Sequence, residues 1–387
     1  MRPYFPALPF LVAGAICAAG WAASQAEAQA PESVGTLEAL GERLFFDVNL
    51  SANRTQACAT CHNPDFGFSD PRGMASLGDD GVSVGDRNAP TATYAALTPE
   101  FNRTAEGTWA GGQFLDGRAS RLEDQAGGPP LNPIEMGMPD KASVVARLRE
   151  DQVYLSAFPK LFEDDGILED AEKGYAAMTR AIAAFERTET FSPFDSKYDR
   201  FLRGEVQLSE QEELGRVLFF SQQFSNCNQC HQLGKSAIDP RETFTNYSFH
   251  NIGVPENLDL RAQNGVAVGT VDDGLAANPE VAGDPEERGK FKTPTLRNVA
   301  VTGPYMHNGV FKDLRTVILF YNKYNTKSEK RRINPETGKP FRAPPVPETI
   351  SEKELTDGPA LDDEKVDALV AFLKTLTDAR YEHLLAQ

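Results

Sequence analysis

The sequence predicts a mainly α-helical fold built twice over: two tandem domains, each with its own helices, covered by long wrapping loops. Three observations carry this. Leu40-Gly41-Glu42-Arg43-Leu44-Phe45-Phe46 and Leu214-Gly215-Arg216-Val217-Leu218-Phe219-Phe220 repeat one pattern, with apolar residues at helical spacing, and each runs into a Cys-x-x-Cys-His pentad. Late in the first half, Ala181-Ile182-Ala183-Ala184-Phe185 finds its counterpart in Leu369-Val370-Ala371-Phe372-Leu373, late in the second. No segment is rich in strand signals. A chain of 387 residues holds enough apolar material for two cores.

Taken in order, the chain opens on a leader. Arg2 precedes an apolar run over residues 11–23, and Ala26-Glu27-Ala28 has the small-x-small form of a signal peptidase site. Residues 1–28 are therefore read as a signal peptide, with the mature chain starting near Gln29. A membrane anchor needs a longer apolar run, and no later segment is apolar enough to span a bilayer. Cys17 in the leader follows Ile16, unlike a lipoprotein cleavage site. The first domain is expected over 29–192 and the second over 193–387, with the boundary around 190–197. The final helix is expected after Asp362-Asp363-Glu364, whose charges suit the positive end of a helix dipole. The Gly- and Pro-rich stretches 127–133 and 335–347 are long for structureless connections and are expected to wrap what the pentads hold.

Each pentad, Cys58-Ala59-Thr60-Cys61-His62 and Cys227-Asn228-Gln229-Cys230-His231, reads as a covalent haem attachment site. Two thiols add across the haem vinyl groups as thioethers, and the adjacent histidine ligates the iron. A zinc knuckle or a redox dithiol shares the Cys-x-x-Cys spacing. Both pairs, however, carry His directly after the second Cys, and once Cys17 leaves with the leader no further Cys remains to complete a sulfur-rich zinc site. The reading is thus two covalently bound haem c groups on two tandem c-type cytochrome domains, held by Cys58, Cys61, Cys227 and Cys230 with His62 and His231 on iron. Thioether attachment takes place outside the bacterial cytoplasm, so the leader and the pentads agree on a periplasmic protein. With all four cysteines committed, no disulfide is expected. A net charge of −17 argues against nucleic acid or an anionic membrane as a partner.

Further motifs carry a family resemblance. Gly112-Gln113-Phe114-Leu115-Asp116-Gly117-Arg118-Ala119 and Pro304-Tyr305-Met306-His307-Asn308-Gly309 resemble signature segments of the bacterial dihaem cytochrome c peroxidases. The runs 191–200, 242–253 and 299–324 are similar to one branch of that superfamily, MauG, and the likeness extends over nearly the whole mature chain. The resemblance implies a first haem, with His62 proximal, whose distal side is open to H2O2 or O2. Gln125, Pro129 and Glu135 match the distal pocket, where Glu135 would move a proton between the oxygens of bound peroxide. It implies a low-spin second haem whose sixth ligand is Tyr321, fourteen residues beyond His307, where the peroxidases carry Met. A Met thioether stabilises ferrous iron; an anionic, hard phenolate favours ferric iron and higher oxidation states. Asn88, with the carbonyls of Thr302 and Pro304, matches a calcium site between the haems, and such oxygen donors suit Ca2+. His250 and His383 are read as structural or surface groups.

In the MauG branch, peroxide, or dioxygen plus electrons, generates a high-valent state shared by both haems. That state oxidises tryptophans of a precursor protein and completes the tryptophan tryptophylquinone of methylamine dehydrogenase. The resemblance implies this activity here, with that precursor as partner. The alternative is a peroxidase that reduces peroxide with electrons from a small periplasmic donor protein. A pure electron carrier would have no use for Glu135 beside an open iron. Two positions depart from the pattern: Leu115 replaces the tryptophan between the haems, and Ser225 replaces MauG's tryptophan two residues before the second pentad. Neither side chain holds a radical, and the neighbouring Phe224 is hard to oxidise. An outward route would then use Trp109, the one tryptophan of the mature chain, or a tyrosine such as Tyr247; otherwise the protein substrate differs.

Overall fold

The computed structural model describes Met1 and residues 34–386 apart from 235, 237 and 282, so the leader expected over residues 1–28 lies, Met1 aside, outside the described residues. The first of two helix pairs begins where Thr36 accepts the Ala39 amide and starts the helix Leu37–Phe45. Its buried face, Leu40, Gly41, Leu44 and Phe45, lies on the helix Ala171–Glu186, which Asp170 caps through the amides of Glu172 and Lys173. The two backbones nearly touch. A Cβ built on Gly41 would stand 1.9 Å from the Ala181 carbonyl oxygen, so only glycine fits. Phe45, Phe68, Phe185 and Phe191 close this core through mostly edge-to-face contacts.

The second pair repeats the device. Ser209 and Glu212 form a capping box for the helix Glu210–Phe219, and Asp362 caps Asp363–Lys374 through the Lys365 amide. A Cβ on Gly215 would stand 1.9 Å from the Ala368 carbonyl oxygen. This contact corrects the register of the repeat. Gly41 meets Ala181 and Phe185, and Gly215 meets Ala368 and Phe372, so Ala181 through Phe185 corresponds to Ala368 through Phe372 rather than to the segment one residue on. The helix Leu314–Asn322 joins the second core, which gathers Phe219, Phe244, Leu369 and Phe372.

Among the described residues, strand is confined to three antiparallel pairs of two residues each: Asn102–Arg103 with Trp109–Ala110, Phe249–His250 with Phe291–Lys292, and Ile333–Asn334 with Lys339–Pro340. The loops carry local order that composition did not reveal. Stretch 127–133 contains the 3-10 turn Pro129–Leu131, and 335–347 opens as the tip of the last strand pair. No helix among the described residues is long and apolar enough to cross a membrane.

Candidate functional site

At the first pentad the chain makes a single helical turn, Cys58–Cys61, steadied by the Thr60 hydroxyl accepting the Ala57 amide. One turn is what brings residues i and i+3 to the same face. The His62 amide donates to the Cys58 carbonyl, and His62 Nδ1 lies 3.2 Å from the carbonyl oxygen of Phe68. A carbonyl only accepts, so Nδ1 carries the proton and Nε2 keeps its lone pair for a metal. Burial lowers the His62 pKa and keeps the ring neutral, the form that ligates iron.

Glu135 reaches this pentad. Burial is the main cause raising the pKa of both Cys58 and Cys61, and the Glu135 charge adds a small further rise after nearer groups. Burial also lifts Glu135 itself, against the pull of Arg118 and a hydrogen bond from Asn132. Gln125 and Pro129 belong to the same folded stretch: the Gly128 amide donates to the Gln125 carbonyl, and the Met136 amide to that of Pro129. Over it lies Phe114, whose ring faces Gly128 and carries the Arg118 guanidinium at 3.7 Å.

The second pentad copies the first in its essentials. The His231 amide donates to the Cys227 carbonyl, and His231 Nδ1 lies 3.3 Å from the Phe244 carbonyl oxygen. Burial brings the ring down to about 4. Phe68 and Phe244, which supply the orienting carbonyls, both have left-handed backbone, φ 50° and 55°. Cys227, Cys230 and His231 line a cavity of about 410 Å³. Leu314, Val317, Ile318, Leu369 and Leu373 make its apolar wall. Tyr321 lines the same cavity; burial, and then the Cys230 and Cys227 thiols, hold its phenol well above the usual range. The residues fit a haem: unpaired thiols, a neutral imidazole with a free nitrogen, and an apolar cavity of the size cofactor sites have.

Asn88, Thr302, Pro304 and His307 all line that cavity. Asn88 donates its amide hydrogen to the His307 carbonyl and its side-chain nitrogen to that of Met74, which leaves the side-chain oxygen as the group a cation would use. Leu115 and Ser225 line the cavity too. Trp109 does not; it stacks on Phe101 at 5.0 Å in a small separate core. Sequence reasoning missed several groups here. His250, read as a structural or surface group rather than a ligand, stands in the cavity wall, and His383 is exposed. Lys292 is half-buried beside Leu115, its ammonium donating to the Gly112 carbonyl, and desolvation pulls its pKa down to about 7 against Asp116. Arg87 spans Asp116 and Asp272, and the pairing overcomes burial to hold Asp272 down to about 2. No spacing rule flags such groups, because their partners are remote in sequence.

Two sites with this donor set on one chain define a two-centre haem oxidoreductase. Residues 36–207 match the family model described as di-haem cytochrome c peroxidase. The chain is 54% identical over 371 residues to the methylamine utilization protein MauG of Paracoccus denitrificans (strain Pd 1222), covering 95% of this chain and 94% of that one. It is 35% identical over 285 residues to MauG of Methylophilus methylotrophus, covering 73% and 71%. The crystal structure of the diheme peroxidase BthA from Burkholderia thailandensis E264 superposes with a TM-score of 0.79 at 31% identity, over 90% of this chain and 87% of that one. The chain belongs to the di-haem cytochrome c peroxidase family, on its MauG branch, and is a haem-dependent, peroxidase-like oxidoreductase.

Proposed function

We propose that the protein is a periplasmic, MauG-like dihaem oxidase that passes oxidising equivalents from peroxide, or from dioxygen and electrons, to tryptophans of a precursor protein. The observation that supports this reading is that Tyr321 and His231 line one and the same cavity. A phenol there suits a centre that stores oxidising power, whereas the thioether of an electron-storing peroxidase would not. When bound, haem supplies redox iron at each pentad. The chain's residues do the rest. Cys58 and Cys61, Cys227 and Cys230 would anchor the two groups covalently, and His62 and His231, each with Nδ1 held by a carbonyl, would bind iron through Nε2. Glu135, whose burial favours the protonated carboxyl, would deliver and recover a proton at an oxygen of peroxide, with Gln125 and Pro129 beside it in the same folded stretch. Asn88 with the carbonyls of Thr302 and Pro304 would hold one Ca2+ between the sites. Two tandem c-type cytochrome domains, 29–192 and 193–387 behind the 1–28 signal peptide, accommodate this division, because one hydrophobic core ends at Phe191 and the next begins at Tyr198.

The precursor of methylamine dehydrogenase is the proposed substrate, with tryptophan tryptophylquinone the product. Leu115 and Ser225 favour a second reading, a peroxidase fed by a small donor protein, since both tryptophans of the outward route are missing. Tyr321→Met separates the two. Under the first reading it keeps both haems but abolishes oxidation of the precursor; under the second it leaves peroxide turnover with a small donor intact or improved.

A further inference from the structure

The two halves share a turn that pattern reading did not detect. Pro90-Thr91-Ala92-Thr93-Tyr94 corresponds to Pro294-Thr295-Leu296-Arg297-Asn298. The Thr91 hydroxyl donates to the Gly67 carbonyl, and that of Thr295 to the Thr243 carbonyl. The Tyr94 amide donates to Phe191 and the Asn298 amide to Leu376, both at 3.0 Å. Tyr94 and Asn298 have φ of 60° and 61°, and each caps a 3-10 turn. The two side chains converge on one carboxylate: the Tyr94 hydroxyl donates to Asp378 Oδ1 at 2.6 Å, and Asn298 Nδ2 to Oδ2 at 2.7 Å. Of this symmetric pair, only tyrosine can be oxidised.

Its position joins the two sites. The Ala92 amide donates to the Phe68 carbonyl, the same oxygen that orients His62, and two residues later Tyr94 stands in the wall of the cavity holding His231 and Tyr321. We infer that Tyr94 and Asp378 form a proton-coupled redox relay between the two haem sites, an inference that rests on the peroxide-driven reading above. Tyr94 gives one electron to the peroxide-oxidised haem and its hydroxyl proton to Asp378 Oδ1. This leaves a neutral tyrosyl radical and a carboxylic acid; an incoming electron and the returning proton restore both.

The surroundings enforce that coupling. The Arg297 guanidinium lies 4.8 Å from the Tyr94 ring centroid and is pinned by two hydrogen bonds to Asp199, 2.7 and 2.9 Å. A fixed cation beside the ring opposes positive charge on it, so the electron leaves only when the proton does. Asp378 is ready to receive that proton. Burial raises it to about 6, against the hydrogen bonds from Tyr94 and Asn298 and the charge of Arg297, with Asp195 the other acid nearby. Tyr247 also lines the cavity, but its hydroxyl makes no hydrogen bond to a carboxylate.

The test is electron paramagnetic resonance of the diferric holoprotein, frozen after peroxide addition, with ring-deuterated tyrosine as the label and peroxide consumption read in parallel. The relay predicts a radical signal that narrows on deuteration and is lost in Tyr94→Phe. Because removing the hydroxyl also removes a seam contact, Asp378→Asn is the second variant: it keeps an acceptor for the hydroxyl but cannot take the proton. It should retain both haem spectra and lose the signal. Normal peroxide consumption without a tyrosyl signal, or with one unchanged in both variants, overturns the relay alone. Absence of peroxide consumption in the unmodified protein overturns the parent reading and the relay with it.

Discussion

A phenol and a thioether make opposite demands on haem iron, and at position 321 this chain carries the phenol. Tyr321→Met should leave haem content unchanged and raise the potential of the low-spin haem by on the order of tenths of a volt, read by redox titration. An unmoved potential removes Tyr321 from the iron. Glu135 presents the complementary case on the first site, a carboxyl lifted by burial next to the pentad. Glu135→Gln should slow peroxide consumption by roughly 10²- to 10⁴-fold while sparing the low-spin spectrum, as loss of a general acid/base does. Stopped-flow optical traces distinguish this from a structural lesion. Glu186, at the end of its helix, is buried and raised to about 8, so the folded protein holds a proton that the unfolded chain releases near 4.5. Its contribution to stability is therefore greatest below about 4.5 and is lost as pH rises through about 8. Thermal melts should show Glu186→Gln gaining on the parent protein steadily across that window; a constant difference would contradict the assignment.

At the scale of elements, the two helix crossings were legible because apolar spacing and the pentads repeat together. Their register was not, since Ala-rich helices offer several equivalent alignments and only the Gly41–Ala181 and Gly215–Ala368 approaches decide. Alanine is the better helix former, yet at Gly215 its methyl would overlap a backbone oxygen that cannot turn aside. Gly215→Ala should therefore destabilise by about 1–3 kcal/mol, the usual range for overpacking, in denaturant melts of the holoprotein. A neutral or stabilising result would mean the crossing is looser than described. The turn shared by 90–94 and 294–298 stayed hidden for a different reason. Its likeness lies in left-handed backbone at Tyr94 and Asn298 and in matched hydrogen bonds, with only Pro and Thr in common as letters.

Across the whole molecule, the pentads stood out as candidate haem sites because Cys-x-x-Cys-His is local, whereas what surrounds them is assembled from afar. Asp378 meets Tyr94 from 284 residues away, and Arg87 meets Asp272 from 185. Leu115 and Ser225 show the reverse: the sequence displays their departure from the branch, and the fold sets both on the cavity wall beside buried Tyr94 and Tyr247. Oxidising equivalents that cannot pass through tryptophan at those positions have tyrosine as the alternative. Such equivalents should still reach a protein outside. Mixing diferric holoprotein, peroxide and the methylamine dehydrogenase precursor and following quinone absorbance reads this transfer. The quinone band should grow as peroxide is consumed; peroxide consumed with no quinone formed would show that the equivalents stop short of the precursor.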